Sequence, residues 1–238
     1  MASCRYRLDR FIAQHAAFSR RDVRLLLAQR RITIDGEVAV DITQPVGPFS
    51  LVTLDHVVLQ QQQPLYLAMN KPVGVVSATY DNEHTTVIDQ LRHSTECPLE
   101  PAQLEQLHIV GRLDRASSGL LLLTNDSLWS QRLMAPEHKV AKVYHVTLAH
   151  PVNADYITAF AAGMYFPFEN ITTCPALLEI IAEREVLVTL MEGRYHQIKR
   201  MFGRFRNPVL GLHRLSIGQW QLPPDSWPGQ SWQLAIKS

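Results

Sequence analysis

The spacing of apolar residues changes several times along the chain, and each change marks an element. Val23, Leu26 and Leu27 recur at three-to-four-residue spacing, which turns one apolar stripe of a helix toward a core. Ser19 precedes that stripe, and Asp22 three residues on completes a capping-box pattern. Arg20, Arg24 and Arg31 fall to the other side and give the segment a basic face. Extended stretches at 31–34 and 37–40 then flank Asp35-Gly36, a pair suited to the positive φ angles of a type I′ hairpin. Two more extended stretches follow at 51–54 and 57–59. The glutamine run 60–63 ends in Pro64 and reads as a short, extended linker.

From residue 65 the pattern predicts strands at 65–69, 73–77, 119–124, 143–149, 176–181 and 186–191. Helices are predicted at 86–92, 127–134, 154–162 and 196–206. Several strands follow one another without an intervening helix. That order points to an α+β fold with a mixed, largely antiparallel sheet rather than a doubly wound parallel one. The expected organisation is a small unit at 1–59, a linker at 60–64 and a larger domain at 65–238.

Composition removes several classes of function. Of 238 residues, 46% are apolar and 19% charged, and no apolar run approaches the length of a membrane helix. The basic N-terminus lacks a following apolar stretch, so no secretory leader and no membrane association are expected. Cys4, Cys97 and Cys174 form no CxxC pair, which points to reduced thiols in the cytoplasm and no zinc site. Ten histidines are present without an HExxH spacing, so no metal is expected. No coiled-coil repeat or exposed apolar stripe is evident, and a monomer is expected.

Net charge is only +1, yet its distribution is uneven. Residues 1–31 hold eight arginines against two aspartates. Residues 193–214 hold Arg194, Lys199, Arg200, Arg204, Arg206 and Arg214 with no acid. Two basic patches in a near-neutral chain are what a nucleic-acid surface requires.

The candidate chemistry centres on residues 111–126, Gly-Arg-Leu-Asp-Arg-Ala-Ser-Ser-Gly-Leu-Leu-Leu-Leu-Thr-Asn-Asp. A polar loop carries Asp114, a buried strand follows, and Asn125 and Asp126 are suited to cap the next helix. Arg112 and Arg115 flank Asp114 and would keep it ionised. A loop aspartate is more often a turn former than a catalyst, so the residues alone leave its role open. Downstream, Ile198, Met201, Phe202 and Phe205 should pack inward, while His196, Lys199 and Gly203 lie on a neighbouring stripe. The glycines fit neither GxGxxG nor a P-loop, and GxSxG is absent.

Residues 111–126 resemble the GRLD motif of the pseudouridine synthases, in the RsuA/RluB/E/F-like branch. Met69-Asn70-Lys71-Pro72-Val73-Gly74 through Ser77 resembles the opening of that catalytic domain. Lys142-Val143-Tyr144 resembles its KxY element, and the segment from Glu192 to Phe202 its EGRxHQxKRMF element. Ser118 and Ser127 depart from the usual Thr and Gly. At the N-terminus, Arg7-Leu8-Asp9-Arg10, Ser19-Arg20-Arg21 and Arg30 to Gly36 resemble the S4 RNA-binding domain.

The resemblance implies that Asp114 is the catalytic carboxylate, that Tyr144 stacks on the flipped uracil, and that Lys199 pairs with Asp114. It further implies substrate contacts from Asn70, Lys71, Arg112, Arg115, Arg194, His196, Gln197 and Arg200. Arg7, Arg10, Arg20, Arg21, Arg24 and Arg31 would grip RNA phosphates, a task for which the planar guanidinium fork is suited. No cofactor is implied, because the reaction is a redox-neutral isomerisation. The implied partner is ribosomal RNA, foremost the small-subunit (16S) RNA, naked or in an assembling particle. Large-subunit RNA and a non-catalytic assembly role are the alternatives.

Overall fold

The computed structural model describes residues 5–16 and 18–236, without the side chain of Arg20. Cys4 and that side chain therefore lie outside the described residues. The chain divides into two compact units, residues 1–64 and 65–238.

In the first unit, helix Leu8–His15 and helix Arg20–Ala28 accompany a four-stranded antiparallel sheet. Ser19 caps the second helix: its hydroxyl accepts from the Asp22 amide at 3.3 Å, and its own amide donates to Asp22 at 2.9 Å. Val23, Leu26, Phe11 and Ile12 meet Ile32, Ile34, Val52 and Leu54 in one buried core. Asp35 and Gly36 take φ of 52° and 87° between strands Ile32–Ile34 and Glu37–Val38, as a primed hairpin turn requires. Two expectations need correction. The helix ends at Ala28, so Arg31 is not on its basic face; it pairs with Asp55 instead. Gln60 closes strand Val57–Gln60 and donates to the carbonyls of Gly47 and Ser50, so it belongs to this unit rather than to a linker.

The second unit is built on a nine-stranded sheet. Its main path runs Leu177–Ala182, Glu185–Leu190, Lys142–Leu148, Val209–Ile217, Ser118–Thr124, Tyr66–Lys71, Ser231–Gln233. All its pairings are antiparallel except one: Ser118 and Gly119 run parallel to His213 and Arg214. The α+β, largely antiparallel architecture is as expected.

Both faces of the central strand are covered. Leu121 and Leu123 enter the large core on one side, while Leu120 and Leu122 enter a smaller core beside Trp129 and Trp220 on the other. Alternating side chains on a doubly covered strand must all be apolar, which is why Leu120 to Leu123 reads as an unbroken run. Lys142–Leu148 alternates instead. Lys142, Tyr144, Val146 and Leu148 share its buried face, so Lys142 and Tyr144 extend a core row toward the site described below.

The outer edge of Ser118–Thr124 changes partner midway. Its start pairs with Val209–Ile217, and its end pairs with His108–Val110. The loop bearing Asp114 leaves His108–Val110 and returns at Ser118, at that change. Gly119 permits the close approach there. It sits at φ 102°, and a Cβ would lie 2.3 Å from the Arg214 carbonyl oxygen.

Two other predicted elements changed, and one strand is new. Residues 73–77 form no strand; Pro72 lacks an N–H, Gly74 turns at φ 90°, and only Val76 makes a bridge, to Thr86. The helix predicted at 196–206 is Gln197–Gly203, preceded by the left-handed His196 and followed by a turn that ends at the left-handed Arg206. Strand Val209–Ile217, the longest of the sheet, was not anticipated.

Candidate active site

The segment that formed no strand, together with Lys71 at the end of the strand before it, has another task. Lys71 donates to the Ser117 carbonyl at 2.8 Å, Gly74 N–H to the Arg115 carbonyl at 2.8 Å, and the Ser77 hydroxyl to the Leu113 carbonyl at 2.8 Å. These three bonds hold the Asp114 loop along its length. From the opposite side, buried Arg214 donates to Leu120 O at 2.7 Å and to Gly111 O at 2.8 Å. A loop that would otherwise carry unpaired carbonyls is thereby fixed, and Asp114 with it.

The loop forms one wall of a cavity of about 670 Å³. Its lining includes Asp114, Tyr144, Lys199, His196, Gln197, Arg194, Arg112 and Arg115, with apolar Ile109, Leu113, Leu190, Ile198 and Leu212. Lys199 Nζ lies 2.8 Å from Asp114 Oδ2, and His196 Nε2 lies 3.1 Å from Oδ1. Lys199 is thus the partner that the resemblance implied, and neither flanking arginine bonds the Asp114 carboxylate. Arg112 and Arg115 are exposed, and Arg115 Nε contacts the Gly74 carbonyl at 3.3 Å. Tyr144 is 7% exposed, and the Arg214 guanidinium sits 6.0 Å from its ring centre.

The approach to the helix Gln197–Gly203 is organised by Glu192. That carboxylate accepts from Arg194 Nε, Gln197 Nε2 and the Cys174 amide, each at 2.8 Å. Ile198, Met201 and Phe202 anchor the helix in the core, and Phe205 packs against them. Lys199 is thereby directed at Asp114.

Other expected substrate contacts lie elsewhere. Asn70 is buried and donates to Ser226 O at 2.9 Å, tying its strand to the C-terminal segment. Lys71 is fully buried behind the loop. Arg200 pairs with Glu169 at 2.6 Å and covers the Phe166 ring at 4.2 Å. None of the three lines the cavity. In the first unit, Arg7 is committed to Asp9 and Arg31 to Asp55, while Arg10, Arg21 and Arg24 are exposed. Among the described residues no group of histidine, cysteine and carboxylates could hold a metal ion. No described helix is long and apolar enough to cross a membrane.

Burial pushes the Lys71 ammonium down to about 8, partly offset by the Asp114 charge and reinforced by Arg214. Burial also lowers Lys142, with Arg214 again contributing. Between pH 8 and the ordinary lysine value near 10.5, unfolded Lys71 holds a proton that the folded state has released. Stability therefore gains from rising pH in that window, by up to about 1.4 kcal/mol per unit. Urea unfolding of the parent and of Lys71→Met should show the difference moving in the parent's favour from pH 8 to 10. A parallel pH dependence would show that Lys71 does not titrate there.

One cavity therefore holds a carboxylate on a doubly braced loop, a lysine and an imidazole at its two oxygens, and a buried tyrosine. The chain belongs to the RNA pseudouridylate synthase family, whose model matches residues 65–203. It is 48% identical over 227 residues to the ribosomal small subunit pseudouridine synthase A of Pseudomonas aeruginosa, covering 93% of this chain and 95% of that one. It is 40% identical to the protein of the same name from Escherichia coli K12, covering 94% of each. A crystal structure of a pseudouridylate synthase aligns with a TM-score of 0.67 and 34% identity over 96% of both chains.

Sequence reasoning missed Arg214, which was counted only as part of a basic patch. An arginine inside the apolar alternation of 209–217 was the available signal, since a buried guanidinium must be met by several acceptors. It also missed the bracing role of Ser77.

Proposed function

We propose that this chain converts a specific uridine of small-subunit (16S) ribosomal RNA to pseudouridine, with Asp114 as the reacting carboxylate. The observation that carries the reading is the Asp114–Lys199 contact of 2.8 Å inside a cavity large enough for a nucleotide. The reaction breaks the bond from ribose C1′ to N1, turns the uracil, and joins C1′ to C5. The C5 hydrogen leaves as a proton, and N1 gains one. Atoms and electrons balance without an oxidant or a cofactor.

A target uridine must leave its stack to reach Asp114. Lys199 and His196 hold the carboxylate oriented at the sugar, where it serves as nucleophile or base. Tyr144 supplies one face of the pocket for the uracil ring, and Arg112 and Arg115 stand at its rim for flanking phosphates. The small-subunit target follows the names of the relatives at 48% and 40% identity. The protein is read as a cytoplasmic monomer whose substrate is that RNA or a partly assembled particle.

The first unit is read as an S4-like RNA-binding domain at residues 1–64, gripping phosphates through Arg10, Arg21 and Arg24. Affinity for RNA should fall steeply with salt, because each neutralised phosphate releases counterions. Replacing those three arginines with alanine should weaken binding. The slope of log affinity against log salt should flatten by about one for each phosphate that is no longer neutralised. An unchanged slope in a filter-binding titration would remove this unit from the RNA interface.

The function itself is tested by incubating the protein with unmodified small-subunit and large-subunit ribosomal RNA, naked and partly assembled. Pseudouridines are mapped by chemical adduct and reverse-transcription stops, with Asp114→Ala as control. One Asp114-dependent stop in small-subunit RNA is expected. A stop confined to large-subunit RNA would move the target, and none in any substrate would reject the reaction.

A further inference from the structure

Tyr195 stands at the mouth of the cavity and is 77% exposed. Its ring lies on the His196 imidazole, centre to centre 3.9 Å and tilted by 18°. His196 in turn reaches Asp114 at 3.1 Å. Adjacent residues do not ordinarily face their rings together. Here His196 adopts φ 48° and ψ 32°, a left-handed conformation. A non-glycine residue pays roughly 1 kcal/mol or more to sit there, and such positions cluster at ligand sites. The cost leaves a large aromatic ring in water with one face covered and the other open. Around it the chain is basic: Arg194 is exposed beside it, and Arg112 and Arg115 line the same cavity.

An open aromatic face among cations is the arrangement that holds unpaired nucleobases, because every base has a π-face and every nucleotide a phosphate. Glu192 keeps the segment in place by binding both Arg194 and Gln197. We propose that Tyr195, backed by His196, is a stacking subsite for the base adjacent to the target uridine. The inference rests on the reading of the cavity as a uridine site. Once the target uridine turns inward, its neighbour loses a stacking partner. Tyr195 replaces that partner and stabilises the opened RNA. It is a binding and specificity residue, and it does not touch the reacting bond.

Two measurements test this. The first uses nine-nucleotide RNAs with a central uridine, 2-aminopurine on its 5′ or 3′ side, and a terminal dye. Anisotropy reports binding, and 2-aminopurine emission reports stacking. The parent and Tyr195→Phe should quench one of the two probes, while Tyr195→Leu should bind with that quenching lost. Equal emission with all three proteins, whether bound or not, overturns the proposal.

The second is kinetic, on Pseudomonas aeruginosa small-subunit RNA. The loss in Tyr195→Leu should fall on KM, by on the order of tenfold, as for one stacked base. Tyr195→Phe should restore it. A loss confined to kcat, or no rescue by Phe, counts against the subsite. If the parent protein isomerises no uridine, the functional reading fails, and the fluorescence result still decides whether Tyr195 stacks on a base.

Discussion

Asp114→Asn is expected to reduce pseudouridine formation by at least about 10³-fold while leaving the fold intact. A carboxamide matches the carboxylate in size but cannot attack the sugar as an anion or accept a proton at neutral pH. General-base contributions alone are worth about 10²–10⁴-fold. Loss of a covalent route would add to that. Stability should change little. The Asp114 side chain is 30% exposed and those of Lys199 and His196 are 32% and 36% exposed. Ion pairs so placed contribute at most about 1 kcal/mol. The loop itself is held by Lys71, Gly74, Ser77 and Arg214, none of which bonds the Asp114 carboxylate. The assay follows from the chemistry: tritium at uracil C5 is released to water when C5 joins the ribose. Single-turnover release by Asp114→Asn at more than a tenth of the parent rate would remove Asp114 from the reaction.

The sequence was most legible where one physical constraint dominated. Ser19 with Asp22, Asp35 with Gly36 and the run Leu120 to Leu123 each follow from a local rule of capping, turn geometry or two-sided burial, and each element formed. The stretch 73–77 was misread because its apolar residues suit a strand, whereas its polar groups were already committed to the Asp114 loop some forty residues away. Nothing local reports such a commitment. The strand Val209–Ile217 was missed for a related reason. Its interior holds His213 and Arg214, and only the sheet partners on either side explain how polar groups are accommodated there.

The site shows the same division. Asp114, Tyr144 and the pair His196 and Lys199 come from three separate segments, and chemistry alone left Asp114, Tyr144 and Lys199 each with an ordinary alternative reading. Resemblance to a family named them together, and the fold brings them to one cavity. It did not separate residues facing the cavity from those bracing it. Asn70 and Lys71 share a motif with Ser77, and all three are turned to structural bonds. The partner of Asp114 was legible only through the resemblance. Adjacency offered Arg112 and Arg115 as nearby charges, but a loop residue and its neighbours point apart; the resemblance gave Lys199, which lies 2.8 Å from the carboxylate, and His196 adds the second contact.

Arg214→Lys should carry the second large effect, at a position that touches neither Asp114 nor the exposed surface. The guanidinium is 1% exposed and spans the carbonyls of Leu120 and Gly111, with that of Arg112 at 3.5 Å. It therefore joins the two ends of the catalytic loop to the strand Val209–Ile217. An ammonium is a single point on a flexible stem and cannot meet acceptors on both sides of the loop. At least one buried carbonyl loses its partner, and the charge remains buried. The expected loss of stability is about 1–3 kcal/mol, the cost of leaving a buried acceptor unpaired. For a chain of this size that corresponds to a fall in Tm of roughly 5 °C. The chemical step should slow as well, because releasing Gly111 and Leu120 shifts Asp114 against the bound sugar, and displacement of about 1 Å costs on the order of 10²-fold. Single-turnover rates measured well below the melting point of each variant separate the two effects. A variant that melts lower yet isomerises at the parent rate would confine Arg214 to stability. A slowed step with KM unchanged would establish that the arginine sets the position of the carboxylate.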